Sequence, residues 1–334
     1  MTGAREKDLS RREFVATAGS CAAHLGLMSA VAPDWMRAAW TRLAPRAAGD
    51  GVTVAVEPWG RLERVAEGVW AMVSTPLTGD RTTLCNGGIV AGRSGVLMVE
   101  AFASDAGAKW MAAQALALTG RAPTHVVLTH YHSDHTGGIR GALAPGVRAG
   151  ASARLHATDT TRALVTERNA GAPSELLRDA TLVTATDTTT LDLGGRTVSL
   201  RPLDGHTASD VAVRVEEEHV VFCGDLVWNG MFPNYVDAVP SRLTRSVKAL
   251  RDLRGATYVP GHGAVATPAE IERYLMVLDS VEQAARSAVE RGVTAESAGA
   301  EYEIPGALGE WVLFNPRYFE RAIGAWMREL AKGE

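Results

Sequence analysis

Residues 129–138 read THYHSDHTGG, and three histidines and an aspartate fall within six of those positions. Side chains two apart on an extended segment point the same way, so His130 and His132 project together from the end of the apolar run THVVLTH (124–130). Asp134 and His135 follow where the chain turns toward a helix, and Gly137-Gly138 permits a tight backbone there. Imidazole nitrogens and a carboxylate converging in one loop make a ligand set for a borderline ion such as zinc. The bland alternative is a solvated polar loop, but the chain has only nine histidines, and composition alone would not place three of them in this spacing. Further along, His206 lies in LDGHTASD, Asp225 closes VVFCGD, and His262 sits in YVPGHG. Singly, each reads as a cap or turn residue. Jointly with the first stretch they provide enough ligands for two ions, at strand ends where loops on one rim of a sheet converge.

The elements that must position these residues are short apolar runs alternating with helices. Strand-like runs fall at 52–57, 64–74, 84–92, 95–100 and 124–130, then at 181–192, 196–203, 210–216 and 219–224. Helical spacing of Ala108, Met111, Ala112, Ala115 and Leu118 predicts a helix over 104–119. Further helices are expected over 151–169, 240–254, 267–291 and 316–331. Thr267, Pro268 and Glu270 spell a capping box at the start of the 267–291 helix. Strands and helices alternate in both halves, which suits a layered α/β domain better than an all-α or all-β fold.

HYHSDH, GHT, GD and PGHG, preceded by the strand at 95–100, occur in the order that marks the metallo-β-lactamase-fold hydrolase superfamily, which this chain resembles over residues 52–265. The resemblance implies an αββα four-layer sandwich with metals on one edge. It also implies that His130, His132 and His206 hold a first zinc ion, that Asp134, His135 and His262 hold a second, and that Asp225 bridges the two. One position departs from the family pattern: the strand VLMVEA offers Glu100 where aspartate is usual. This longer side chain either supports the histidines from beneath or shifts the loop. Asp210, four residues after His206, is open between a surface and a supporting role. The stretch CNGGIVAGRSGVLMVEA also resembles a group of periplasmic zinc hydrolases associated with quinoprotein systems.

Two zinc ions about 3.5–4 Å apart hold a shared hydroxide near neutral pH, and such a hydroxide attacks carbonyl carbons. The expected activity is therefore hydrolysis of an ester, thioester or lactone of a small molecule, with Asp134 orienting the water or taking its proton. By the same resemblance, aspartate at the bridging position, as in the thioesterase-like, lactonase and phosphodiesterase branches, favours these bonds over a β-lactam, whose branch most often has cysteine or serine there. A β-lactamase stands as one alternative, a mononuclear-iron persulfide dioxygenase-like oxidoreductase as another, and a non-catalytic binding module as a third. Trp228, Phe232 and Tyr235, in LVWNGMFPNY after Asp225, are candidate walls of an apolar substrate pocket; an ordinary hydrophobic loop packed on the sheet is the competing reading.

A net charge of −4, from 34 basic and 38 acidic residues, gives no basic field for nucleic acid. Arg11-Arg12, followed by Phe14, Val15 and a long Ala/Gly-rich run, resembles a twin-arginine export signal over residues 1–32, with a Pro/Ala-rich linker over 33–50 and the hydrolase domain over 51–334. That reading implies passage through the twin-arginine translocase to the periplasm or beyond. Of the three cysteines, Cys21 falls inside the signal, and Cys85 and Cys223 alone make no disulfide framework.

Overall fold

The computed structural model describes residues 51–144, 153–169, 174–253 and 255–333. The export signal and linker expected over residues 1–50 lie outside them. Eight strands form one sheet in chain order: β1 (Val52–Glu57), β2 (Gly60–Ala66), β3 (Val69–Ser74), β4 (Gly87–Ala91), β5 (Val96–Val99), β6 (His125–Val127), β7 (Arg154–Thr158) and β8 (Thr181–Val183). Pairing is antiparallel as far as β5 and parallel from β5 to β8. Five strands form a second sheet: β9 (Thr189–Asp192), β10 (Thr197–Pro202), β11 (Val211–Val215), β12 (Val220–Asn229) and β13 (Thr257–Gly263). Its β12–β13 pair is parallel, and the others are antiparallel.

Strand alternation sorts the apolar residues into three cores. Leu97 and Val99 of β5 face inward with Val127, Val213, Val215, Val220 and Phe222, filling the space between the sheets. Val96 and Met98 face the other way, against Ala108, Met111 and Ala115 of α1 (Asp105–Thr119). On the far side of the second sheet, Val221, Cys223 and Tyr258 pack under α5 (Pro240–Arg251), α6 (Pro268–Arg291) and α7 (Tyr318–Leu330). Helix, sheet, sheet and helix in succession make the expected αββα sandwich. The capping box is present, with Thr267 and Glu270 satisfying one another's backbone N–H groups at the start of α6.

Three segment expectations are corrected. The run 64–74 breaks into a β2–β3 hairpin, because Gly68 takes a left-handed φ of 67° between the strands. The helix expected over 151–169 begins later: Arg154–Thr158 is strand β7, and α4 (Asp159–Arg168) starts only after Thr158 caps it. The run 181–192 splits between the sheets, β8 ending the first and β9 opening the second. Between α3 (Ile139–Ala142) and β7, between α4 and β8, and at residue 254 between α5 and β13 lie the short internal stretches outside the description.

Candidate metal centre

All seven expected ligands meet at one edge of the sandwich, carried by loops from both sheets. The turn after β6 supplies His130 and His132. The short helix α2 (Ser133–Thr136) supplies Asp134 and His135. The loop after β10 carries His206, a bulge within β12 carries Asp225, and β13 carries His262. Local sequence explains this convergence. Gly224 bends β12 with a φ of 52°, and a Cβ at Gly261 would collide with the Asp225 carboxylate, so the two strand ends approach only because both are glycine.

The ligands form two groups, His130, His132, His206 and Asp225 in one and Asp134, His135 and His262 in the other. Within the first, His130 Nε2 lies 3.0 Å and His206 Nε2 3.1 Å from His132 Nδ1. Asp225 faces both groups: Oδ2 is 3.3 Å from His206 Nε2, and Oδ1 is 3.2 Å from His135 Nε2 and 3.3 Å from His262 Nε2. Asp134 Oδ2 completes the second group at 3.3 Å from His262 Nε2.

The donors fit a pair of cations. His132 donates its Nε2–H to Asp237 Oδ2 at 2.9 Å, which leaves Nδ1 as a bare lone pair. The Thr129 hydroxyl donates to Glu100 and therefore accepts from His130 Nδ1 at 3.1 Å, which leaves His130 Nε2 bare as well. Nitrogens facing each other at 3.0 Å repel unless a proton or a metal ion lies between them. On the side of the second group, His135 Nε2 and the Asp225 Oδ1 that faces it are buried without a hydrogen bond of good geometry. Such orphaned groups are costly without a ligand to satisfy them.

Charge agrees with this. Burial pushes His130 well below the usual imidazole range and His206 down to about 3, so both are in the neutral, ligating form. Burial would raise the Asp225 carboxyl, but His262, His135 and His206 around it hold it well below the carboxylate range. Against the same effect of burial, His135 and His262 keep Asp134 at about 2. In the second group a proton stands where an ion would bind: Asp225 and Asp134 overcome burial to raise His262 to about 9, and a bound cation would have to displace that proton.

Outside the ligands, Glu100 takes the supporting role and not the disruptive one. It adopts a left-handed φ of 75°, rare for a side chain of this kind, and its Oε1 lies 3.0 Å from His135 Nδ1 while also holding Thr129. Asp210 is buried and accepts from the backbone N–H of His206 at 2.9 Å and from the Thr207 hydroxyl at 2.6 Å, fixing the turn that presents His206. Burial raises its carboxyl to about 7, although the hydrogen bonds from Thr207 work against this.

Asp237 was not singled out from the sequence. It ties His132 to Tyr131 and to Arg168 of α4, whose Nη1 donates to Oδ1 at 3.0 Å. Those partners stand 106, 105 and 69 residues away, so no local pattern marks the residue. The substrate-wall expectation needs correction. Phe232 and Tyr235 are fully buried in the core outside the second sheet, with Phe232 edge-on to Phe319. Trp228 is buried too, its ring centroid 4.0 Å from that of His262, where it packs on a ligand instead of roofing a pocket. These residues follow the competing reading of a hydrophobic loop packed on the sheet. The accessible side of the centre is formed by His132, Asp134, Asp237 and Arg168, with side chains 14%, 13%, 24% and 34% exposed.

A four-layer α/β sandwich with two adjacent His/Asp groups at one edge defines a metal-dependent hydrolase. The sequence profile of the metallo-beta-lactamase superfamily matches residues 81–262, more than half of the chain, and the chain belongs to that superfamily. Among curated proteins, it is 29% identical over 147 residues to a hydroxyacylglutathione hydrolase of Cupriavidus taiwanensis, covering 43% of this chain and 51% of that one. It is 26% identical over 223 residues to a hydroxyacylglutathione hydrolase of Shewanella sp. (strain ANA-3), covering 66% of this chain and 72% of that one. The chain thus spans about half the length of the first of these relatives. Among solved structures, a metallo-beta-lactamase from Pontibacter korlensis superposes with a TM-score of 0.55 at 20% identity, covering 66% of this chain and 99% of its own. The sec-alkylsulfatase Pisa1 from Pseudomonas sp. superposes with a TM-score of 0.60 at 15% identity, covering 79% of this chain and 49% of its own. At these identities the two structures establish the fold alone.

Proposed function

We propose that this protein is a binuclear zinc hydrolase that cleaves an ester, thioester or lactone bond of a small molecule. The observation that carries the reading is Asp225, whose two carboxylate oxygens face the two ligand groups from between them. Two divalent ions held in this way supply Lewis acidity toward a carbonyl oxygen and an acidified water. The remaining work falls to the chain. His130 and His206 are held neutral, Asp237 orients His132, and Asp134, on the accessible side, is placed to orient a water or take its proton. A nucleophilic thiol is not required, and burial pushes Cys85 up to about 12 and raises Cys223 as well.

Aspartate in the bridging position and the similarity to two hydroxyacylglutathione hydrolases support a thioester or related acyl substrate over a β-lactam. The complete second group of Asp134, His135 and His262 weighs against a mononuclear iron oxidoreductase. The test is a hydrolysis screen of the zinc-loaded protein against thioester, lactone, aryl ester, phosphodiester and β-lactam panels. Turnover is expected in one of the first three, falling on the order of 10²-fold or more in Asp134→Ala. Hydrolysis confined to the phosphodiester or β-lactam arm would overturn the substrate class, and unchanged turnover in Asp134→Ala would remove its role. We also propose twin-arginine export to the periplasm, supported by Arg11-Arg12 and the run that follows. Alanine at both positions should retain the protein in the cytoplasm, and continued secretion would count against the signal.

A further inference from the structure

Immediately before β4 lie Cys85 and Asn86, adjacent buried residues that none of the chemistry above requires. Asn86 directs its three N–H donors across the gap between the sheets. Its Nδ2 donates to Pro260 O at 2.9 Å and to Gly263 O at 2.7 Å, and its backbone N–H donates to Gly261 O at 2.7 Å. Its Oδ1 accepts from Ser74 N at 2.9 Å, anchoring the amide to the first sheet. Three carbonyls around His262 are therefore held by one residue of the opposite sheet. Cys85 reaches the other half of the same group: its thiol donates to the backbone carbonyl of Asp134 at 3.0 Å. Leu84, immediately before the pair, is buried in a left-handed conformation with φ 62°. Such backbone strain persists only where the surroundings enforce it. Gly87, immediately after, has no room for a Cβ against Val99 O and the Phe102 ring. The pair is thus fixed in place from both sides.

We infer that Cys85 and Asn86 are positioning residues for the second metal group specifically, setting the separation of Asp134 from His262 across the two sheets. The three histidines of the first group are held by other contacts. Its loop is tied between the sheets elsewhere, by Val211 N donating to Thr129 O at 2.7 Å, and its histidines are oriented by Asp237, Asp210 and Thr129. This inference rests on the binuclear reading proposed above.

The test reads metal affinity and not turnover. The metal-free full-length protein is titrated with cobalt(II) and with zinc against a chromophoric chelator, resolving two binding steps. In Asn86→Asp, which keeps the size but loses both N–H donors, the first step should stay within about twofold and the second should weaken about 10–100-fold, as for other groups that orient a ligand. Cys85→Ala should weaken the second step several-fold, and Cys85→Ser, which restores a donor, should recover most of that loss. A general structural role would weaken both steps together, and that result, or no change in either, overturns the inference. Should Asn86→Asp fail to fold, Cys85→Ala against Cys85→Ser decides alone. Wild-type protein that takes a single ion would sink the binuclear reading together with this one, whereas two ions with unaltered variants would sink this one only.

Discussion

At the scale of single residues, the centre depends on which nitrogen of each histidine is left bare. His132 shows this most directly: Asp237 takes its Nε2–H, so Nδ1 is the nitrogen turned toward His130 and His206. Tyr131 and His132 both reach Asp237 Oδ2, while Arg168 occupies Oδ1. After Asp237→Asn, one oxygen would have to serve three donors, and an NH2 group would face either Arg168 or the imidazole. This substitution should therefore weaken the first metal step about 10–100-fold and leave the second nearly unchanged, as measured by chelator competition. Equal affinities in variant and parent would show that His132 is oriented by other means. The seven clustered residues were legible in the sequence because each lies beside glycine after an apolar run or within HYHSDH. Asp237, Arg168 and Asn86 were not, because their roles arise from contacts made only when distant segments meet. Phe232 and Tyr235 misled for a related reason: apolar character marks burial equally well in a core and in a pocket wall, and only packing distinguishes the two.

At the scale of elements, regular strands and long helices were readable, and errors fell where tertiary pairing overrides local pattern. In β7, RLHAT carries an arginine and a histidine and continues into a helix, so its sequence does not announce a strand. Pairing with β6 makes it one and places His156 beside His125, with ring nitrogens 3.0 Å apart. Burial, together with the positive charges of His125 and Arg154, lowers His156 to about 4, and burial lowers His125 as well. Because the folded-state value lies below the ordinary 6.5, the unfolded chain binds a proton that the folded chain does not between about pH 6.5 and 4. The contribution to stability is full above that window and is lost as pH falls through it. His156→Gln, which cannot titrate, should shrink the difference between urea midpoints measured at pH 7 and pH 5. Identical differences in parent and variant would mean that the pair does not couple folding to protons.

At the scale of the whole molecule, the centre draws its ligands from both sheets. His130, His132, Asp134 and His135 follow β6 of the first, whereas His206, Asp225 and His262 belong to the second. Bound ions would thus act as a clip between the half-sandwiches, adding to the contacts of Val99, Val127, Val213 and Phe222 in the apolar core between them. Without a cation, the cluster keeps facing lone pairs and buried orphaned atoms that the packed core must hold together. Binding to the folded state alone stabilises it by about 2.7 kcal/mol at a free-ion concentration of 100 Kd, and by more as the concentration rises. For a domain of this size that corresponds to a shift in melting temperature on the order of 5 °C. Calorimetry of zinc-loaded protein against protein stripped with a strong chelator should show a lower Tm in the stripped form. The gap should widen with the logarithm of added zinc, and Asp225→Asn, which removes the carboxylate shared by both groups, should abolish most of it. A melting temperature indifferent to chelator would mean that the two sheets hold the cluster together without ions, and the reading of these seven residues as a metal centre would fail with it.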